Sequence, residues 1–270
     1  MNQGFHIAVC GSLVPDPLQT LEPIAGPQGP ALKNEMMLPA VLDPWASHAL
    51  YEAAHLARQD GESRIWLVSI GPRARLQQLM MSIAQKAVFE LVACDGPAGG
   101  FTDAAEVARV LADTVAAIPE LDPQRLLLFG GCASASRDAG ATLQMTGERL
   151  GITEQFLNVD ELTVQEGVLR IKERIEGGRY LVSACDGPPA VVGWATGMLP
   201  EPPNNPQIGM QNMRSIMPAL QRAKSVTLEA PELTFESVTV PQQRRDTRIV
   251  KDTPTDEIAA ELVQWLREDS

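Results

Sequence analysis

The amino-terminal half of the chain alternates apolar runs of strand length with stretches whose apolar residues recur at helical spacing. The first run, His6–Cys10, ends at Gly11 and predicts a buried strand. Asp43 and Pro44 predict a helix start, because aspartate caps a first turn and proline suits the first helical position. The alternation continues with predicted strands and helices over Arg64–Ile70, Arg73–Lys86, Val88–Cys94, Ala104–Ala117, Arg125–Phe129 and Ala139–Leu150.

Strands that alternate with helices in this way favour an α/β fold with a doubly wound, mainly parallel sheet of the Rossmann-like kind. Such sheets bind ligands outside the carboxyl ends of their strands, near the point where the strand order reverses. The candidate binding loops are therefore those that follow the predicted strands, namely Gly11–Pro17, Ile70–Pro72, Asp95–Gly100 and Gly130–Asp138.

The second half of the chain has a different pattern. After Gln155, β-rich runs separated by Glu-Gly and Gly-Gly pairs predict antiparallel hairpins, and Pro188–Trp194 predicts one more strand. Gly187–Met213 holds six prolines, so we expect an irregular loop used for recognition, with a methionine-filled core segment as the alternative. Five prolines over residues 15–30 predict irregular chain there as well.

The tail combines a basic run with an amphipathic helix. Val238–Lys251 carries Arg244, Arg245, Arg248 and Lys251, and both a solvated arm and a grip on an acidic surface fit this run. Thr255 predicts the cap of a final helix with an apolar face of Ile258, Leu262, Trp265 and Leu266. We expect three regions: 1–186 as an α/β domain with a β-hairpin extension, 187–224 as the last core strand and recognition loop, and 225–270 as an arm and helix.

Composition narrows the classes of function. The chain of 270 residues has 22 basic and 34 acidic side chains, and this net charge of −12 argues against a nucleic-acid partner. The cysteines (Cys10, Cys94, Cys132 and Cys185) lie far apart, so we expect buried free thiols in a reducing compartment and no metal site. The sequence also lacks a signal-peptide pattern and an apolar stretch near the roughly 18 residues of a membrane helix. We therefore expect a cytoplasmic protein without membrane insertion.

The sequence offers little catalytic machinery. Its histidines, His6, His48 and His55, accompany no nucleophile or metal-ligand motif, which disfavours hydrolase chemistry. Small residues from Gly130 to a predicted helix start near Asp138 fit an anion-binding cradle, because backbone N–H groups at a helix start can hold phosphate. An ordinary strand–helix turn explains these residues equally well.

Six segments, in order along the chain, resemble motifs of one known family. IAVCGSLVPDP resembles an opening strand with a V-P-D loop, and DPWASHALYEAAHLA resembles the helix N-P-x-x-x-x-A-L-E-E-A. WLVSIGP resembles V-x-V-S-x-G-P, and LLLFGG with the later DAG resembles the phosphate loop G-K-Q-x-x-D-x-D-x-G-Q. PPAVVGWATGMLPEPP and SIMPALQRAK resemble P-A-V-V, N-E-P and I-M-K-A-K-K, and the tail resembles P-P-Q-R followed by E-D-L-V-x-x-L. The chain thus resembles the β subunit of electron transfer flavoproteins over nearly its whole length.

The resemblance implies an electron-carrier subunit without bond chemistry of its own. Such a subunit pairs with an α subunit that mainly holds FAD. The pair passes electrons from a primary flavin dehydrogenase towards a quinone oxidoreductase. In this family the adenine-nucleotide-binding fold of the β subunit commonly holds AMP. The resemblance also implies that residues 225–270 dock on the partner subunit.

The family's functional positions can be matched residue by residue. The nucleotide-binding residues implied are Ala8, Asp43, Pro44, Trp45, Ala46, Ile70, Cys132, Ala133, Ser134, Ser136, Asp138, Gly140, Ala141 and Thr142. The match also places Met213 at the partner-recognition position and Val14–Asp16 at the flavin edge.

The glycine loop departs from the family's motif. Gly131 and Cys132 replace Lys-Gln, and Ala141 replaces the final Gln, so AMP, a second FAD and an empty site all stay open. The alternative functions are a stand-alone adenine-nucleotide-binding enzyme and a nucleotide sensor of similar sheet fold. The segment CGSLVPD lacks the S-G-G-x-D-S-type loop that ATP pyrophosphatases carry after the first strand.

Overall fold

The structure is a computed structural model that describes residues 4–27, 29–97, 102–136, 140–228, 236–239 and 247–268. The chain divides into two units, Met1–Val238 and Thr239–Ser270. In the described parts, no helix has the length and apolarity needed to cross a membrane. Within the same ranges, no three side chains of the metal-binding types are grouped closely enough to hold a metal ion.

Strands and helices alternate through the first unit. The strands are β1 (His6–Cys10), β2 (Leu13–Pro15), β3 (Pro23–Gly26), β4 (Gly29–Leu32), β5 (Ala40–Leu42), β6 (Arg64–Gly71), β7 (Glu90–Asp95), β8 (Leu126–Gly131), β9 (Gln155–Gln165), β10 (Val168–Ile175), β11 (Arg179–Cys185), β12 (Ala190–Trp194) and β13 (Lys224–Ser225). The helices are α1 (Pro44–Asp60), α2 (Arg73–Ile83), α3 (Ala104–Ala116), α4 (Ala141–Arg149), α5 (Pro206–Gln221) and, in the second unit, α6 (Thr255–Glu268).

The described strands form a nine-stranded sheet in the order β11-β10-β9-β12-β8-β1-β6-β7-β13. Pairings are parallel from β9 across to β13, whereas β9–β10 and β10–β11 are antiparallel. From β1 the chain moves outward to β6 and β7, then returns to the other side of β1 with β8. The strand order therefore reverses between β1 and β8, which is the place where such sheets bind ligands.

Helices cover both faces of the sheet, which confirms the doubly wound α/β fold predicted from the sequence. Helices α1, α2 and α5 pack on one face, and α3 and α4 pack on the other. Strand β1 shows how one apolar run serves both layers. Ile7 and Val9 belong to the first core cluster and Ala8 to the second, so every second side chain points to the opposite face.

Two of the helices begin at aspartates, and the one at Asp43 is predicted from the sequence. The Asp43 carboxylate accepts a hydrogen bond from Trp45 N, and the Asp103 carboxylate accepts from Ala105 N and Glu106 N. Each carboxylate satisfies amides that have no partner inside the helix. These caps fix where α1 and α3 begin, next to the carboxyl ends of the strands.

The interpretation of Gly187–Met213 as one irregular loop is wrong. Helix α5 begins inside it at Pro206, and the Asn205 side chain caps this helix by accepting from Gln207 N. Pro206 at the first helical position loses no hydrogen bond, so proline favours the helix here. The buried Asn212 side chain holds α5 to the end of α2 by donating to Ala84 O and Ala87 O at 2.7 and 2.6 Å.

The prolines over residues 15–30 also mislead. Two short antiparallel pairs, β2 with β5 and β3 with β4, form within this segment and its continuation. Such short edge pairs tolerate proline, because the position of the missing N–H faces away from the hydrogen-bonded ladder. The expectation of four buried thiols is wrong as well, since Cys10 and Cys132 are only partly buried.

Helix α1 also positions the segment that follows β12. The Glu52 carboxylate, only 6% exposed, accepts hydrogen bonds from Met198 N and Leu199 N at 3.1 and 3.0 Å. One helical turn further, His55 Nε2 lies 2.9 Å from Pro200 O. Burial raises the pKa of Glu52 above its ordinary value. These contacts therefore keep the Glu52 carboxyl group in surroundings that disfavour its charged form.

Candidate functional site

A cavity of about 220 Å³ lies where the strand order reverses. Its wall includes Cys10 at the end of β1, Ile70 near the end of β6, and Gly130 and Gly131 at the end of β8. Three parallel strands therefore deliver their carboxyl ends to one crevice, as the loops predicted from the sequence require.

Asp43 organises one wall of this cavity. The residue is 1% exposed, and its Oδ2 accepts hydrogen bonds from Ser134 Oγ and Ala135 N, both at 2.9 Å. Its Oδ1 accepts from Trp45 N at 3.1 Å. A single carboxylate thus caps α1 and fastens the loop after β8, which we name the cradle loop (residues 132–136).

The described residues that line the cavity carry few charged side chains. None of its described lining residues is a lysine, arginine or histidine, and Asp43 is the acid among them. Burial raises the pKa of Asp43 above its ordinary value, although the hydrogen bonds to its carboxylate oppose this rise. Among the described residues of this wall, Asp43 is therefore the side chain that carries a charge when it is ionised.

Two glycines let the backbone approach closely around the cradle loop. A methyl group on Gly131 would lie 2.5 Å from Trp45 Cβ and 2.8 Å from Ala133 O. One on Gly140 would overlap the carbonyl oxygen of Cys132. Neither glycine has a positive φ, so these positions need glycine for space and not for backbone conformation.

Helix α4 points its first turn at the cavity. Gly140, Ala141 and Thr142 line the wall, and no side chain among the described residues caps this helix. The first amides of a helix have no partner within it, so α4 offers hydrogen-bond donors to a ligand. At the start of α1, the amide of Trp45 already donates to Asp43.

The Cys10 thiol also lines the cavity and is not a reactive group. Burial raises its pKa to about 12, so the thiol keeps its proton near neutral pH. It contributes an apolar surface to the ligand crevice.

Comparison with known families decides the relationship of the chain. The model of the electron transfer flavoprotein domain matches residues 34–234. This chain belongs to the electron transfer flavoprotein domain family. A comparison with curated proteins gave no match.

The matched range contains most of the cavity wall. In this electron transfer flavoprotein domain it includes Asp43, the cradle loop and all of α5, whereas β1 and α6 lie outside it. The family assignment gives the chain a role in electron transfer associated with flavin. The predicted resemblance to electron transfer flavoproteins is thereby confirmed at the level of the domain.

Most of the residues implied by the resemblance lie together. Those that line the cavity are Asp43, Ala46, Ile70, Ala133, Ser134, Ser136, Gly140, Ala141 and Thr142. Their roles in nucleotide binding stay predictions, because proximity alone does not identify a ligand.

Four implied residues stand behind the wall. Ala8 is fully buried in the middle of β1, and Pro44 and Trp45 form the first turn of α1. Cys132 is tied through its backbone N–H to Trp194 O at 2.9 Å. Asp138 lies outside the described residues.

The reasoning from the sequence missed one wall of the cavity. Its lining also includes Thr102, just before α3, and Ala104, Val107 and Leu111 within that helix. The available signal was the Asp103 cap, which places the first turn of this helix directly after a candidate binding loop.

Met213 lies on α5 and packs, partly buried, against the first core cluster. Its neighbour one turn earlier, Met210, is 65% exposed, and Met198 is 59% exposed. Met213 is therefore less exposed than either of these methionines, and its role in recognition stays a prediction.

Proposed function

We propose that this chain is the β subunit of a heterodimeric electron transfer flavoprotein. In this role it pairs with an α subunit that mainly holds FAD, accepts electrons from a primary flavin dehydrogenase and delivers them to a quinone oxidoreductase. The observation that carries the proposal is the family match over residues 34–234, in a chain whose six motif segments follow the order of β subunits.

The chemistry of the cavity supports a carrier without bond chemistry of its own. Its titratable lining groups in the described residues are Cys10, which keeps its proton, and Asp43, which is occupied with capping. A nucleophile needs a base within hydrogen-bond reach, and no histidine lines the described wall. Hydrolysis of ATP by the isolated chain would favour the alternative of a stand-alone enzyme.

The size of the cavity supports a division of labour between subunits. Pockets for drug-sized ligands measure roughly 300–1,000 Å³. The described cavity of about 220 Å³ lies below this range, which favours a ligand smaller than FAD in it. FAD supplies the reversible electron transfer when it is bound, and we assign its main binding surface to the α subunit.

The segment Val14–Asp16 is the proposed contact of this chain with the flavin edge. Val14 is 2% exposed and lines the cavity, which fixes the start of the segment. The Asp16 carboxylate accepts from Leu18 N and Gln19 Nε2, both at 3.0 Å, which fixes the end. A rigid apolar edge of this kind can exclude water from a neighbouring flavin.

Helix α6 is the proposed docking element for the α subunit. Leu262, Trp265 and Leu266 are 51%, 62% and 73% exposed on one face of this helix. Burying such side chains against a partner is favourable, and tryptophan is often a dominant contact in protein interfaces. The proposal also places the protein in the cytoplasm, where its free cysteines stay reduced.

The docking proposal is tested by co-expression with an α-type subunit from the same genome that carries an affinity tag. We expect the native chain to co-purify with it in equal amounts. Replacing Trp265 and Leu266 together by aspartate should weaken the complex about thirtyfold, the effect of losing about 2 kcal/mol at a central contact. Ala260→Asp, on the opposite side of α6, is the matched control. Equal affinity for all three forms would refute the role of α6.

A further inference from the structure

A polar stripe runs along one face of helix α1. Its members recur at intervals of three or four residues, which places them on the same side of a helix: His48, Tyr51, Glu52 and His55. Their partners belong to the segment between β12 and α5, which we name the strap (residues 197–201). The stripe and the strap lie entirely within the part of the chain that the structure describes.

The strap forms a turn around the Glu52 carboxylate. Met198 N and Leu199 N both donate to Glu52 Oε1, at 3.1 and 3.0 Å. Successive backbone amides that point to one oxygen form a concave site for an anion. Gly197, the residue before them, has a φ of 66°, and a methyl group there would overlap the same oxygen. The turn therefore requires glycine at this position, both for its backbone conformation and for space.

Further contacts hold the rest of the strap. His55 Nε2 lies 2.9 Å from Pro200 O. The Tyr51 hydroxyl and the Lys86 ammonium both bind the carboxylate of Glu201. Every residue of the strap after its glycine is thus held by a side chain, so the strap is fixed along its length although it contains no helix or strand.

The charge of Glu52 weakens the fold. The residue is 6% exposed, and burial raises its pKa above the ordinary value, although the two strap amides oppose this rise. An apolar side chain would suit the position, because its neighbours on the buried face of α1 include Ala49, Ala53 and Leu56. Proteins depart from such local rules of stability mainly at functional sites. The buried carboxylate therefore needs an explanation beyond folding.

The strap presents apolar residues at the surface of the protein. Met198 and Leu199 are 59% and 40% exposed, while their amides are turned to Glu52. The chain then continues into α5, which carries Met213 at the predicted recognition position. Glu52 therefore fixes the backbone of an apolar surface that leads directly towards that position.

We propose that Glu52 is a positioning residue for electron transfer. Its carboxylate holds the strap so that Met198 and Leu199 meet the primary flavin dehydrogenase in one arrangement, and the protein gives up stability to keep this hold. The inference rests on the proposed function for the identity of the partner. A released strap must be ordered again when the dehydrogenase binds, so its loss should weaken the encounter and spare the transfer step.

The test is steady-state reduction of the purified complex by its dehydrogenase, with the concentration of the complex varied. Glu52→Met keeps the length of the side chain and removes the acceptor, so KM should rise about tenfold while kcat stays within about twofold. Glu52→Gln keeps an acceptor oxygen in the same place, and KM should stay within about threefold of the native value. Glu62→Met removes the same charge at an exposed site beyond the end of α1 and should change neither constant.

Two further measurements separate positioning from a loss of folding. Gly197→Ala pushes the strap off the carboxylate from the other side, so it should raise KM by about the same factor as Glu52→Met. Hydrogen–deuterium exchange at the amides of Met198 and Leu199 should be faster in both of these variants and native-like in Glu52→Gln.

A native KM in both Glu52→Met and Gly197→Ala would overturn the inference, and so would an equal rise in KM for Glu52→Met and Glu52→Gln. Loss of the α subunit from the Glu52→Met complex at an unchanged KM would place the strap in the heterodimer interface and contradict the inference as well. The FAD content and the reduction of the native complex report the proposed function separately. A flavin-loaded, reducible complex with any of these results therefore refutes only the role of Glu52.

Discussion

Replacing Gly131 by alanine probes the close packing on which the cradle loop depends. The new methyl group would lie 2.5 Å from Trp45 Cβ and 2.8 Å from Ala133 O, whereas real Cβ atoms essentially never come closer than 3.0 Å. Helix α1 or the cradle loop must therefore withdraw by about 0.5 Å, and neither neighbour is a flexible side-chain end. Overpacking of this kind costs about 1–3 kcal/mol.

Alanine also restricts the unfolded chain, which returns about 0.4–1 kcal/mol of stability. The expected net loss in the free energy of unfolding is about 1–2 kcal/mol, or a melting temperature lowered by about 2–8 °C in a unit of this size. Gly26→Ala is the milder comparison, because its methyl would lie 2.9 Å from Ala31 Cβ and 3.2 Å from Gly29 O, so that a shift of about 0.1 Å relieves the shorter contact.

Differential scanning calorimetry measures both variants against the native chain. Gly26→Ala should be neutral or slightly stabilising, since the unfolded-state effect outweighs its small contact. A melting temperature of Gly131→Ala within 1 °C of the native value, or equal losses in both variants, would refute the claim that the loop is packed without slack.

Three further predictions concern charge and recognition. Burial raises the pKa of Glu52, so its ionised form weakens the fold as pH rises above the ordinary carboxyl range. Glu52→Gln should therefore raise stability at pH 7 and leave it unchanged near pH 4 in thermal melts. A gain in stability that is equal at both pH values would contradict this. Arg174→Ala removes the bidentate partner of the Asp160 carboxylate, whose side chain is 2% exposed. The change should cost about 2 kcal/mol in urea unfolding, which is less than the roughly 3–5 kcal/mol of fully buried pairs because Arg174 is half exposed. A loss under about 0.5 kcal/mol would be too small for this account. Met213→Ala should slow reduction of the complex by its primary dehydrogenase about tenfold without loss of flavin. Met81→Ala, on the exposed side of α2, should leave the rate of reduction unchanged. Equal rates for both variants in stopped-flow traces would show that Met213 is not part of the recognition surface.

The parallel sheet was predictable because its strands have a clear pattern in the sequence. Runs such as Arg64–Ile70 are buried on both faces and therefore read as unbroken apolar stretches bounded by glycine or proline. The capping aspartate Asp43 marked the start of α1 with equal clarity. These local signals agree with the tertiary fold, so sequence and structure coincide there.

Proline misled the reading of α5 because the residue has opposite meanings at different positions. It breaks a helix in the interior, yet it favours the first turn, where Pro206 stands after the Asn205 cap. The buried amide of Asn212, which fixes α5 against α2, depends on carbonyls more than a hundred residues away, and no local pattern encodes such a pairing.

The position of the candidate site in the fold could be predicted from the sequence, but the hydrogen bonds made by its residues could not. The loops after β1, β6 and β8 were marked as binding loops from the strand pattern alone, and the cavity lies among them. That Asp43 binds Ser134 and Ala135, 91 and 92 residues further along, follows only from the folded backbone. This contact fastens the cradle loop to the start of α1.

The most direct test of the central claim is the flavin content of the complex with an α-type electron transfer flavoprotein subunit. The two chains are co-expressed, separated by size-exclusion chromatography, and FAD is quantified in the heterodimer peak. The account predicts a yellow complex of equal chain stoichiometry with one FAD in each heterodimer, bleached when a primary flavin dehydrogenase and its substrate are added. A chain that elutes alone and colourless, while the α-type subunit elutes separately, would contradict it.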